Sequence, residues 1–296
     1  MTTIQKILED SKKIVIKLGS NVLSTEDGVP NREAIKNIVE QLIALIDDGK
    51  RIVIVSSGAK ICGVGAINKW HKVEDMNYKQ ALCAIGQVEL MMAYKEFFAE
   101  RDLHVGQMLL TNSDFENSQR RLHIRNTMFT LIDEGVVPIV NENDTVSTEE
   151  FQIGDNDKLS ALTASLWSAD TLIMLSDIDG VFDKNPKINQ DAKLLHEIDN
   201  IDKLMAKIDT KGKSSFGTGG INTKIEAARR ACQAGVSTIL LNGKKKDIIT
   251  LAMDGKAEGT VFLKIFGEFD GALGAMWAST PTRRWKIAEI LPVRTH

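Results

Sequence analysis

Short aliphatic, β-branched runs recur along this chain between longer amphipathic stretches, and that alternation limits the fold more than any other feature. Ile14-Val15-Ile16 precedes a helical pattern from Arg32 to Asp47, where Ile35, Ile38, Val39, Leu42, Leu45 and Ile46 share one face and Asp48-Gly49 supplies a stop. Ile52 to Val55 reads as the next strand and Tyr78 to Phe98 as a long helix, with Met91, Met92, Phe97 and Phe98 expected in the core. Val105 to Leu110 and Val136 to Val140 are strand-like, separated by a helical Gln119 to Asp133. Lys158 to Trp167 leads into the run Thr171 to Leu175, and Thr223 to Ala234 into Ser237 to Leu241. Strands apolar along their whole length are buried on both faces, and parallel strands need crossover helices to connect them. The expected fold is therefore α/β, a three-layer α/β/α sandwich with a mainly parallel central sheet.

Two segments break the rhythm. Thr145 to Ile153, rich in β-branched residues, predicts a small hairpin outside the main sheet that serves as a lid. After Leu263 the chain turns Gly- and Ala-rich, with Phe266, Phe269, Trp277 and Trp285. The expected organisation is a domain over residues 1–263 and a short extension over 264–296, too small to fold as an ordinary domain.

Charge and cysteine usage exclude several functions. A formal net charge of −3 over 296 residues gives no electrostatic case for nucleic acid or an anionic membrane. No apolar run approaches the roughly 18 residues that would span a bilayer. Met1 to Lys13 is polar and carries Glu9 and Asp10, unlike a signal peptide. Cys62, Cys83 and Cys232 are odd in number and lack metal-ligand spacing, which points to reduced thiols in the cytoplasm, with Cys62 a small buried hydrophobe.

The chemistry concentrates in two polar knots and two lysines. Asn141-Glu142-Asn143-Asp144 follows a strand, and Gly154-Asp155-Asn156-Asp157-Lys158 opens a helix. Ligands of open α/β sheets gather at the carboxyl ends of the strands, where the first knot lies and to which the second leads. Lys17 ends the first strand, and Lys224 follows Gly217-Thr218-Gly219-Gly220-Ile221-Asn222-Thr223 at a helix start. A glycine-rich turn entering a helix offers free N–H groups and a favourable dipole to phosphate.

The common nucleotide signatures are absent. Gly212-Lys213-Ser214 ends like a P-loop, but Lys207 stands where its first glycine belongs. Gly217-Thr218-Gly219 begins like a dinucleotide fingerprint, but its third glycine is Asn222 and no apolar strand precedes it. Ser57 has no glycine two residues before it and no His/Asp pair in view, so nucleophilic serine chemistry is not expected.

Taken in order, the motifs Lys17-Leu-Gly-Ser-Asn21, Ser56-Ser57-Gly58-Ala59, Ala84-Ile-Gly86-Gln87, Asn141 to Asp144, Phe151 to Lys158, Leu175-Ser176-Asp177-Ile-Asp-Gly180 and Gly217 to Lys224 resemble the amino acid kinase family over about residues 10–263. The resemblance implies the three-layer sandwich and an ATP-dependent kinase using Mg2+. Within the family the first motif and the two acid knots are most similar to the branch that phosphorylates the γ-carboxylate of L-glutamate. It implies Lys17, Asp157 and Lys224 as the transfer centre. Ser57, Asp144 and Asn156 would bind glutamate, Asp144 taking the ammonium and the other two its carboxylates, with Asn141 and Asp155 in support. Lys17, Ser176, Asp177, Thr218, Gly219, Gly220, Ile221, Asn222, Thr223 and Lys224 would bind the nucleotide. It also implies proline feedback inhibition and a homo-oligomer. Longer relatives continue after an Arg-Trp segment into a PUA-type domain; here Arg284-Trp285 is followed by eleven residues, so no PUA domain is expected. No protein ligand for magnesium is assigned. A kinase of the same fold acting on another carboxylate or carbamate, and a catalytically silent nucleotide- or amino-acid-binding regulator, remain as alternatives.

Overall fold

A computed structural model describes residues 1–25, 29–67, 75–147, 156–205 and 220–265. Among them, eight strands form one sheet in the order β3-β4-β2-β1-β5-β7-β8-β6. The strands are β1 (Lys13–Leu18), β2 (Arg51–Ser56), β3 (His104–Leu110), β4 (Val136–Glu142), β5 (Thr171–Ser176), β6 (Glu197–Ile198), β7 (Ser237–Asn242) and β8 (Gly259–Phe262). All pairings are parallel except β7 with β8. The helices are α1 (Thr3–Asp10), α2 (Arg32–Asp47), α3 (Ala59–Ile67), α4 (Met76–Ala99), α5 (Ser118–Asp133), α6 (Asn156–Trp167), α7 (Gly220–Gln233) and α8 (Ile248–Met253). The mainly parallel sandwich read from the sequence is the observed fold.

Strand periodicity sorts the two apolar layers and aims the polar residues. Along β1, Ile14, Ile16 and Leu18 pack with α1, α2, α4 and α8, whereas Val15 faces the layer of α5, α6 and α7. Successive side chains alternate between sheet faces, so Lys17 shares the face of Val15 and is directed toward α6 and α7. On β4, Val140 packs in the α5–α7 layer and Ile139 in the other, which puts Asn141 on the α4 side. The chain runs from β1 to β2 on one side and later places β5 on the other. The carboxyl end of β1 thus lies at the reversal of strand order, where such sheets open a crevice.

Helices α3 and α4 cross too closely for side chains. A Cβ on Gly86 would lie 1.8 Å from the Ala59 carbonyl oxygen, and one on Gly63 would lie 2.0 Å from that of Leu82. This contact holds the α4 residue Gln87 against the sheet.

Several elements depart from the sequence reading. The antiparallel strand β8, the two-residue edge strand β6 and the short helices α1, α3 and α8 were not anticipated. Met92 is not in the core: it is 58% exposed, on the outer face of α4, while Phe97 and Phe98 are buried as expected. The expected hairpin over Thr145 to Ile153 falls largely on residues 148–153, outside the described residues, and its first two residues, Thr145 and Val146, belong to a turn closed by Val146 N–H donating to the Asn143 carbonyl. Residues 266–296 also lie outside the described residues.

Candidate active site

Three charged side chains from three elements meet at the carboxyl end of β1. Lys17 Nζ lies 2.5 Å from Asp157 Oδ1, and Lys224 Nζ lies 3.0 Å from Asp157 Oδ2. Thr223 Oγ1 donates to the same Oδ2 at 3.1 Å. Lys17 is 5% and Asp157 1% exposed. Asp157 sits in the first turn of α6, where the helix dipole favours a carboxylate. Burial pushes its pKa up, but Lys17 and Lys224 more than offset this and hold it well below the usual carboxylate range. Two ammonium groups and one carboxylate leave a net positive charge, the requirement for a site that receives an anion.

A chain of amides runs from this centre to α4. Asn156 Nδ2 donates to the Ser56 carbonyl at 3.1 Å, to Ser57 Oγ at 2.9 Å and to Asn141 Oδ1 at 3.0 Å. Asn141 Oδ1 also accepts from the Glu142 N–H at 2.8 Å, and Asn141 Nδ2 donates to Gln87 Oε1 at 2.8 Å. Backbone groups fix these orientations: a carbonyl only accepts and an N–H only donates. Asn156 Oδ1 is buried and has no partner among the described residues. The unpartnered atom of Asn156 is therefore an acceptor.

Asp144 lies just beyond β4, beside α4. Burial raises its pKa, partly countered by the Cys83 thiol donating to it. The carboxylate lines a cavity of ≈ 230 Å³ together with Cys83, Gln87, Glu142 and Asn143. The cavity's scale fits a small molecule better than a nucleotide.

The other strand ends supply a second cluster. Ser176 ends β5, and its hydroxyl donates to Asp177 Oδ1 at 3.2 Å, while Asn21 Nδ2 donates to Asp177 Oδ2 at 2.9 Å. Burial raises the Asp177 pKa, and these bonds with the nearby Lys224 charge bring it below the ordinary value. Gly220, Ile221, Asn222 and Thr223 form the first turn of α7 with Lys224. Thr218, Gly219 and Asp155 lie outside the described residues.

The sequence-predicted Lys17, Asp157, Lys224, Ser57, Asn156 and Asn141 thus converge, and Asp144 follows Asn141 just past the end of β4. Gln87 and Cys83 escaped notice as site residues. Their signal is a polar residue within the buried α4 stripe Cys83, Gln87, Leu90 and Tyr94, at helical spacing.

A family model described as "Amino acid kinase family" matches residues 12–242. The chain belongs to the amino acid kinase family. Among curated relatives, a "Glutamate 5-kinase" of Alkaliphilus metalliredigens (strain QYMF) is 56% identical over 259 residues, covering 88% of this chain and 98% of the relative. Another of that name, from Alkaliphilus oremlandii (strain OhILAs), is 54% identical over 261 residues and covers 88% and 99%. Among solved structures, the carbamate kinase of Giardia lamblia bound to AMP-PNP aligns with a TM-score of 0.61 at 17% identity, covering 86% of this chain and 99% of that one. The UMP kinase of Ureaplasma parvum aligns at 0.59 with 18% identity over 86% and 99%. These structures carry the amino acid kinase fold alone. No helix among the described residues of this amino acid kinase is long and apolar enough to cross a membrane.

Proposed function

We propose that this amino acid kinase transfers the γ-phosphate of ATP to the γ-carboxylate of L-glutamate, giving γ-glutamyl phosphate and ADP, the first step of proline biosynthesis. The observation that carries the reading is the pair of lysines converging on one buried aspartate. A glutamate side chain has a pKa of about 4.3, so the nucleophile is already ionised near neutrality and needs no base. A carboxylate oxygen forms the new bond to the γ-phosphorus, the bridging bond to ADP breaks, and ADP leaves with that electron pair. No proton need move. The task is to bring an anion to a polyanion, which positioning and charge neutralisation accomplish. Lys17 and Lys224 draw charge from the transferring phosphoryl group, and Asp157 holds their ammonium groups in register.

Magnesium enters as part of the nucleotide substrate. Among the described residues no cluster of three or more potential metal ligands occurs, and both Asp157 oxygens are engaged by lysines. That donor set fits an ion held by phosphate oxygens and water. Ser176, Asp177 and the Gly220–Lys224 turn, with Thr218 and Gly219, form the nucleotide side in this reading. Ser57, Asn141, Asp144, Asp155 and Asn156 form the amino-acid side.

ADP release measured across a panel of acceptors tests the function. L-Glutamate should drive it, and carbamate, aspartate and N-acetylglutamate should not; preference for one of these would replace the reading.

Asp144 gives the amino-acid side a pH signature. Its raised pKa means that the buried charge is costly until an ammonium joins it. As pH falls through that raised value the carboxylate protonates and loses its hold on the ammonium, so KM for glutamate should rise at a higher pH than ordinary carboxylate titration would produce. Asp144→Asn should have a high KM throughout and lack this additional limb. An unchanged acid limb in the variant would remove Asp144 from substrate binding.

Proline shares an α-carboxylate and a cationic nitrogen with glutamate and lacks the γ-carboxylate. Competitive inhibition by proline within the kinase domain follows, weakened together with glutamate binding in Asp144→Asn; insensitivity to proline well above the glutamate concentration would contradict it. A homo-oligomer is supported by exposed Ile85 and Met92, two turns apart on α4. Light scattering should find more than one chain per particle, and a monomer at assay concentration would contradict this. Three buried free cysteines support a reducing setting, the cytoplasm; fractionation of cells tests it, and recovery outside the cytoplasm would contradict it.

A further inference from the structure

Gln87 stands out as a buried polar group with half of its bonding capacity unused. The residue is 9% exposed, and its Nε2 has no partner among the described residues. An unsatisfied buried donor is destabilising, so one retained in a folded protein calls for a partner.

Its orientation can be deduced link by link. The Glu142 N–H bonds one side-chain atom of Asn141, so that atom is oxygen. The other Asn141 atom is then the amide nitrogen, and it bonds Gln87 at 2.8 Å. The Gln87 atom facing it must be oxygen, which leaves the two Nε2 hydrogens free. A flipped Gln87 would put two amide nitrogens face to face. The relay therefore fixes the orientation of Gln87, a residue that lines the ≈ 230 Å³ cavity together with Asp144.

A fixed amide donor and a buried carboxylate in one cavity wall match the two ends of a zwitterion. We infer that Gln87 is a specificity-determining residue that donates through Nε2 to the α-carboxylate of the amino-acid substrate while Asp144 takes the α-ammonium. This rests on the glutamate-kinase reading and deepens it: the site selects acceptors with a free α-carboxylate beside the α-ammonium. Because Nε2 is neutral, it holds that carboxylate without drawing the nucleotide's phosphates away from Lys17 and Lys224.

Gln87→Glu provides the discriminating test. A glutamate side chain can still accept from Asn141 Nδ2, so the amide relay survives, but the free donor becomes a second acceptor. KM for L-glutamate should rise about tenfold or more, as for loss of a hydrogen bond to a charged group, with KM for ATP little changed. The preference for L-glutamate over its α-amide should shrink in the same variant. Gln87→Met, which removes both ends of the amide, should show the same loss and serves if Gln87→Glu does not fold. A purely structural Gln87 would be rescued in Gln87→Glu, so a wild-type KM and an unchanged preference for glutamate over its α-amide there overturn the inference. The wild-type arm separates the two claims. Absence of glutamate turnover in wild type removes the proposed function and this inference with it, whereas normal wild-type turnover with a neutral Gln87→Glu removes the inference alone.

Discussion

Lys17→Ala is expected to lower kcat by about a hundredfold or more, the scale for losing a group that stabilises charge in the transition state. Lys224→Ala should behave similarly. Stability should fall much less, because Asp157 keeps a partner in either case: without Lys17 it still lies 3.0 Å from Lys224 and accepts from Thr223. Single-turnover kinetics set beside thermal unfolding of the same preparations checks both halves. Near-normal turnover in either folded variant would remove that lysine from the transfer step.

Asp157→Asn is expected to reverse the balance between activity and stability. The substitution leaves two ammonium groups near one neutral amide, with Lys17 buried. Breaking a buried pair by removing one partner costs about 3–5 kcal/mol, and partial access of water to Lys224 places this case toward the lower end. Turnover should fall as well, since the lysines lose the group that holds them in register. The stability difference has a pH signature. A carboxylate whose folded pKa is depressed contributes stability above its unfolded value of about 3.9, and that contribution disappears as pH falls through the folded value. The gap between wild type and Asp157→Asn should be constant from about pH 5 upward, shrink below about pH 4 and close only toward the folded value of about 2. Denaturant titrations at several pH values measure it, and a gap that persists undiminished in acid would show that the loss is not electrostatic.

The sheet was legible because its strands are apolar along their full length and each is followed by helical spacing; Arg32 to Asp47 matches α2 end to end. Helix α3 was hidden because Ala59–Ile67 is apolar nearly all round and shows no amphipathic period. Strand β8 is only four residues long, too short to carry an alternation signal. Met92 was misplaced because hydrophobicity alone does not say which face of a long helix is covered. At the site, Lys17 was readable as the polar end of an apolar strand, and its direction follows from the two-residue period that puts it on the face of Val15. The convergence on Asp157 was not readable from spacing, since the three partners lie far apart in sequence and meet only through the order β2-β1-β5. Gln87 stood in the motif Ala84-Ile-Gly86-Gln87, but its place in the site was not readable for a related reason: the amide relay that orients it joins residues from α4, β4 and α6.

The central claim is that the lysine–aspartate centre moves a phosphoryl group onto a side-chain carboxylate. Trapping the product with hydroxylamine tests this directly, because an acyl phosphate is converted to a hydroxamate, while a phosphate ester is not. With ATP, magnesium and L-glutamate, γ-glutamyl hydroxamate should accumulate in step with ADP, and Lys17→Ala should lower both rates together by about a hundredfold or more. ADP release that proceeds without glutamate, or that yields no hydroxamate, would contradict the account.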